Sequence, residues 1–114
     1  MATDKSFYDY VMHEVIGGIP GISSKPMFGG FGLYKDGLIF GIIADNTLYF
    51  KTSDQNRSDF ERLGSQPFTY AGKNKKMTTL SYWELPAEIM EDKDKIRSWI
   101  EKSAAVSLET RRKK

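Results

Sequence analysis

Cysteine is absent from the 114 residues, and histidine occurs once, at position 13. The first absence excludes disulfides, zinc–thiolate sites and thiol nucleophiles. The second leaves His13 with no second histidine or cysteine to share a metal ion. No stretch approaches the roughly 20 apolar residues that a membrane span requires. A large charge of one sign is missing too: 17 basic residues face 15 acidic ones, for a net +2. Dedicated nucleic-acid-binding domains are usually far more basic. The positive excess is local, because Arg111-Arg112-Lys113-Lys114 contributes four charges and the remainder is then slightly acidic, at +2 − 4 = −2. The opening Met1-Ala2-Thr3-Asp4-Lys5 carries an acid and no apolar stretch, so it does not read as a signal peptide. A soluble, cytoplasmic, single-domain protein is the expectation, with residues 1–110 forming the domain and 111–114 a flexible basic tail.

Glycine, by contrast, is concentrated where it looks costly. Met27-Phe28-Gly29-Gly30-Phe31-Gly32-Leu33-Tyr34 opens a strand-like run, and glycine weakens strand interiors unless the backbone bends or is closely approached. Before this block, apolar spacing predicts a helix from about Asp4 to Ile16, with Phe7, Tyr10, Val11, Glu14 and Val15 on one side and Thr3 or Asp4 as its cap. Gly17-Gly18 ends it, and Ile19 to Pro26 reads as a loop. Strands are expected at Met27 to Lys35, Leu38 to Ala44 and Thr47 to Thr52, joined by Asp36-Gly37 and Asp45-Asn46 turns. The middle one is apolar on both faces and should lie centrally.

A short helix capped by Ser53 or Asp54 should reach Leu63, with Phe60 and Leu63 inward and Gly64 just past its end. Strands at Phe68 to Tyr70 and Met77 to Trp83 follow, linked by the polar Gly72 to Lys76. A helical turn at Ala87 to Glu91 precedes a last helix capped by Asp92. Its buried stripe is Ile96, Trp99, Ile100, Ala104 and Leu108, and it should fray after Glu109. The order α-β-β-β-α-β-β-α predicts an α+β fold, a curved antiparallel sheet of about five strands with helices packed mainly on one face.

No reacting constellation emerges. Ser23 and Ser24 carry no cue linking them to His13. Asp92 and Asp94 fit a helix start, where acids favour the dipole, and Glu84, Glu88 and Glu91 lack metal-ligand spacing. Gly29 to Gly32 runs into a strand and not into a helix N-terminus, so it lacks the geometry of a phosphate loop. Neither an enzyme nor a cofactor or metal site is expected.

The glycine block, Asp36-Gly37, Leu48-Tyr49-Phe50-Lys51, Phe60, Gly64, Pro67-Phe68-Thr69-Tyr70, Leu80-Ser81-Tyr82-Trp83-Glu84-Leu85-Pro86 and Trp99 fall in an order that resembles the N-terminal domain of the TfoX/Sxy family of bacterial competence regulators. The resemblance implies a two-layer fold grouped with secretion-chaperone-like proteins, no enzymatic activity, and a role in transcription regulation and DNA transformation. It further implies the cyclic-AMP receptor protein as a partner. The expected function is regulation through protein contacts. The candidate surface is the glycine-bent strand edge: Lys25, Met27, Phe28, Gly29, Gly30, Phe31, Gly32 and Tyr34. Such an edge offers pairing to a partner or a second copy. The alternative is direct nucleic-acid binding by Lys73, Lys75 and Lys76 with Arg111, Arg112, Lys113 and Lys114, beside the aromatic Tyr70, Tyr82 and Trp83.

Overall fold

The computed structural model describes residues 4–27, 30–71 and 77–112. Helix α1 spans Lys5–Tyr10 and continues as a π-helical turn over Val11–Val15. Its start is capped by backbone: the Asp4 carbonyl accepts from the amides of Phe7 and Tyr8, while the Asp4 amide donates to Asn46 Oδ1 at 2.7 Å. The π turn, closed by the Ile16 amide on the Val11 carbonyl, widens the helix and resets its phase. Val11, Val15 and Ile16 are buried as a result, whereas the expected inward residues Tyr10 and Glu14 are exposed.

The sheet has six strands: β1 Ile22–Met27, β2 Gly30–Lys35, β3 Leu38–Ala44, β4 Thr47–Lys51, β5 Pro67–Ala71 and β6 Met77–Glu84. All neighbours are antiparallel, in the order β1-β2-β3-β4-β6-β5. The expected long strand from Met27 to Lys35 is therefore two strands, and Ile22 to Met27 replaces part of an expected loop. Ser23, Ser24, Lys25 and Pro26 look like loop residues in sequence, but they suit an edge strand, where lysine and proline discourage further pairing. The other edge, β5, likewise begins with proline. Of the glycine block, Met27 ends the edge strand, but Gly30, Phe31, Gly32 and Tyr34 do not lie at the sheet edge as expected. They lie in β2, flanked by β1 and β3.

Between Leu33 and Tyr34 the β2–β3 register slips, from Leu33 opposite Gly41 to Tyr34 opposite Ile39. Phe40 is the extra residue. This bulge turns Phe40 into the core, where its ring meets Phe50 edge-on at 5.3 Å. Gly41 beside it is a close-approach position: a Cβ there would stand 2.6 Å from the Tyr49 carbonyl oxygen.

Helix α2 spans Arg57–Arg62, α3 Ala87–Met90 and α4 Lys93–Arg112. The expected cap of α4 is formed: Asp92 Oδ1 accepts from the amides of Asp94 and Lys95, both at 3.1 Å. Helix α2 ends in a Schellman motif, with Gly64 at φ +75° and the Ser65 amide reaching back to the Phe60 carbonyl. That turn leaves Leu63 on the surface, 38% exposed, and not inward as its spacing suggests. On α4, Ile96, Ile100, Ser103, Ala104 and Val106 are buried, while Leu108 is exposed. The helix runs on to Arg112 instead of fraying after Glu109.

Helix α4 lies across β2, β3 and β4, and the helices join one face of the sheet. Cross-strand register identifies that face as Phe31, Leu33, Ile43, Leu48, Phe50 and Trp83. With Phe40, Phe60, Ile89, Ile96 and Ile100 these residues form a single core, each fully buried large side chain adding about 1.5–3 kcal/mol. The architecture is an α+β two-layer fold, with one strand more than expected.

A candidate interaction face on the open side of the sheet

Side chains alternate across a strand, so the residues between the core positions define a second face. Along β1 these are Ser23, Lys25 and Met27; along β2, Gly30, Gly32 and Tyr34. β3 adds Ile42, β4 Tyr49 and Lys51, β6 Tyr82 and Glu84. The register confirms the rows, with Lys25 opposite Gly32, Gly32 opposite Ile42, Ile42 opposite Tyr49 and Tyr49 opposite Glu84. Phe68 of β5 joins them, its ring 4.7 Å from that of Tyr49. Among the described residues, Met27, Tyr34, Ile42, Tyr49, Phe68 and Tyr82 are neither buried nor part of the core cluster. They are half-buried, and no described helix covers them.

Two lysines stand among these rings. Lys25 Nζ lies 5.4 Å from the Tyr34 ring centroid, and Lys51 Nζ the same distance from that of Tyr82. Such placements are cation–π contacts, worth about 0.5–1 kcal/mol where exposed. Neither ammonium has a carboxylate partner among the described residues. Burial lowers the Lys51 pKa from its ordinary value. Burial likewise pushes the Tyr82 phenol up to about 12, helped by its proximity to Tyr34. Tyr49 is raised by burial first, with a Thr47 hydrogen bond opposing and the charges of Glu84 and Asp45 adding. The face is thus partly dehydrated as well as cationic.

The position of Lys51 is fixed from behind. Its carbonyl accepts from Ser103 Oγ at 2.8 Å and from Asn56 Nδ2 at 3.1 Å, and Asn56 Oδ1 accepts the Ser53 amide at 2.9 Å. Asn56 and Ser103 are buried, so α2 and α4 both hold the end of β4. The floor beneath Tyr34 and Met27 is glycine: a Cβ on Gly32 would lie 3.3 Å from Met27 Sδ and from the Tyr34 ring.

Of the residues expected to form the interaction surface, Lys25, Met27, Gly30, Gly32 and Tyr34 meet on this face. Phe31 does not; it points to the opposite side and packs against the Tyr8 ring at 4.1 Å. Phe28 and Gly29 lie outside the described residues, as do Lys73, Lys75, Lys76, Lys113 and Lys114. Arg111 and Arg112 belong to the last turn of α4, where basic residues suit the helix dipole. His13 is exposed on the π turn. Ser24 Oγ is hydrogen-bonded to the Tyr8 hydroxyl at 2.7 Å. Among the described residues no three histidine or acidic side chains gather as a metal site, and no helix is long and apolar enough to cross a membrane. Ile42, Tyr49, Lys51 and Phe68 were missed as site residues. The available signal was the apolar character of both faces of β3, which implies a second hydrophobic surface.

Hollows also open beside the helices; one of about 340 Å³ is lined by Leu63, Ile89, Trp99 and charged neighbours. Its acid Asp59 is paired with Arg62 and with Lys102.

A family model described as the TfoX N-terminal domain matches residues 14–107. The chain is also 30% identical over 71 residues to DNA transformation protein TfoX1 of Aliivibrio fischeri, a stretch covering 62% of this chain and 33% of that relative. The match thus spans about a third of the relative's length. With the family match extending from the π turn through most of α4, the chain belongs to the TfoX N-terminal domain family.

Proposed function

We propose that this domain is a non-catalytic, cytoplasmic regulator of DNA transformation, acting on competence-gene transcription through protein contacts made by the open face of the sheet. The observation that carries this reading is the uncovered face itself. Met27, Tyr34, Ile42, Tyr49 and Tyr82 are only partly buried and lie outside the core, and grouped apolar surface of this kind marks interaction sites. Aromatic residues and methionine, here Met27, Tyr34, Tyr49 and Tyr82, are also among the residues that interface centres favour. The kinship with a protein named for DNA transformation supplies the process. The cyclic-AMP receptor protein, implied by the family resemblance, is the first partner to test.

The experiment replaces Ile42, at the centre of the face, with aspartate. The parent strain lacking the gene is complemented with wild type, Ile42→Asp or Arg97→Asp, the last an exposed position on α4. Transformation frequency should collapse with Ile42→Asp and persist with Arg97→Asp, with both proteins folded by circular dichroism. Full complementation by a folded Ile42→Asp protein would overturn the reading.

A further inference from the structure

Resting on that reading, we infer that the open face receives an acidic, extended segment of a partner protein, whose carboxylates meet Lys25 and Lys51 while an apolar side chain between them settles over Ile42 and Tyr49.

Three observations favour this occupant. Among the described residues Lys25 and Lys51 each have an aromatic ring beside the ammonium and no carboxylate partner, and a carboxylate brought to such an ammonium forms a charge-assisted hydrogen bond. A second copy of the chain would set the same two lysines against themselves. A single nucleic-acid strand needs free ring faces for its bases. Here lysines stand over the Tyr34 and Tyr82 rings, and Tyr49 and Phe68 pack on each other.

The geometry also sets the spacing of the acids. Lys25 shares a row with Tyr49, and Lys51 stands two residues further along β4. Three strand spacings (about 14 Å) and a stagger of about 7 Å put the two backbones about 16 Å apart, a span that their long side chains bring within reach of acids four residues apart on an extended chain. An acid–x–apolar–x–acid segment crossing the strands satisfies both lysines.

The test titrates the ¹⁵N-labelled full chain with the capped peptide Glu-Ala-Phe-Ala-Glu, its glutamine counterpart and an all-thymidine oligonucleotide. The acidic peptide should shift the amides of Lys25, Gly32, Ile42, Tyr49 and Lys51. The glutamine peptide should bind at least about fivefold more weakly, and Lys25→Met or Lys51→Met should each cost the acidic peptide about fivefold in Kd. Equal binding of both peptides, no binding up to millimolar peptide, shifts on the helical side, tighter oligonucleotide binding, or a stable dimer that occludes the face would each overturn the inference. Such a failure leaves the regulatory reading standing if Ile42→Asp still abolishes transformation, so the two are separable.

Discussion

Gly30→Ala tests how tightly the glycine block is fitted. A Cβ at Gly30 would stand 2.0 Å from the Ile43 carbonyl oxygen and 3.1 Å from its carbon. Ordinary contact begins near 3.4 Å, so β2 and β3 must separate locally by 3.4 − 2.0 = 1.4 Å. No flexible side chain can absorb this, because the obstacle is backbone. The opening falls beside the Phe31–Ile43 pair and disturbs the Phe31 contact with Tyr8. Losing one or two ladder hydrogen bonds at about 1 kcal/mol each, with overpacking strain of about 1–3 kcal/mol, predicts a loss of about 2–5 kcal/mol. The assay is urea unfolding followed by circular dichroism. Gly37→Ala is the control, since nothing lies within 4 Å of its Cβ and only its φ of +83° resists substitution, at about 1–2 kcal/mol. If the backbone contact were not real, Gly30→Ala would gain about 0.4–1 kcal/mol by stiffening the unfolded chain. Unchanged or raised stability therefore refutes the reasoning.

The remaining predictions concern the support of the face. Asn56→Ala strands the Ser53 amide and removes a bond to the Lys51 carbonyl, and should cost about 1–3 kcal/mol in the same assay. Ser103→Ala removes the other bond to that carbonyl, so the double variant should lose a different amount from the sum of the singles. Tyr82, held neutral in the folded state up to about pH 12 against 10 when unfolded, stabilises the fold fully below pH 10. That contribution is lost as pH rises from 10 to 12. The urea midpoint of the wild type should fall more steeply over that window than that of Tyr82→Phe. Phe40→Ala empties the bulge position against Phe50 and α4 and should cost about 3–5 kcal/mol by thermal unfolding.

Much of this fold is legible in local pattern. The hairpin turns at Asp36-Gly37 and Asp45-Asn46, each with positive φ at its non-glycine residues, are chosen by residue type, and so are the Asp92 cap and the Gly64 stop. What escapes is what tertiary context decides. β1 is hidden because Ser-Ser-Lys-Pro has poor strand propensity, and only pairing with β2 at an edge makes it a strand. The π turn is invisible to a search at a 3.6-residue period, which therefore places Tyr10 and Glu14 inside. The candidate face is half legible. Residue type singles out the glycine block and its neighbours Lys25 and Tyr34. Bringing them beside Tyr49, Lys51 and Tyr82 requires the strand order, which places β6 between β4 and β5.

The face as a docking surface is tested most directly by crosslinking in living cells. A photoreactive phenylalanine analogue is placed at position 42 on the open face or at position 97 on the exposed side of α4. The account predicts a discrete protein adduct from position 42 that disappears when Lys25 and Lys51 are both changed to Met, and no such adduct from position 97. An adduct from position 97 alone, or nucleic acid crosslinked at position 42, would contradict it.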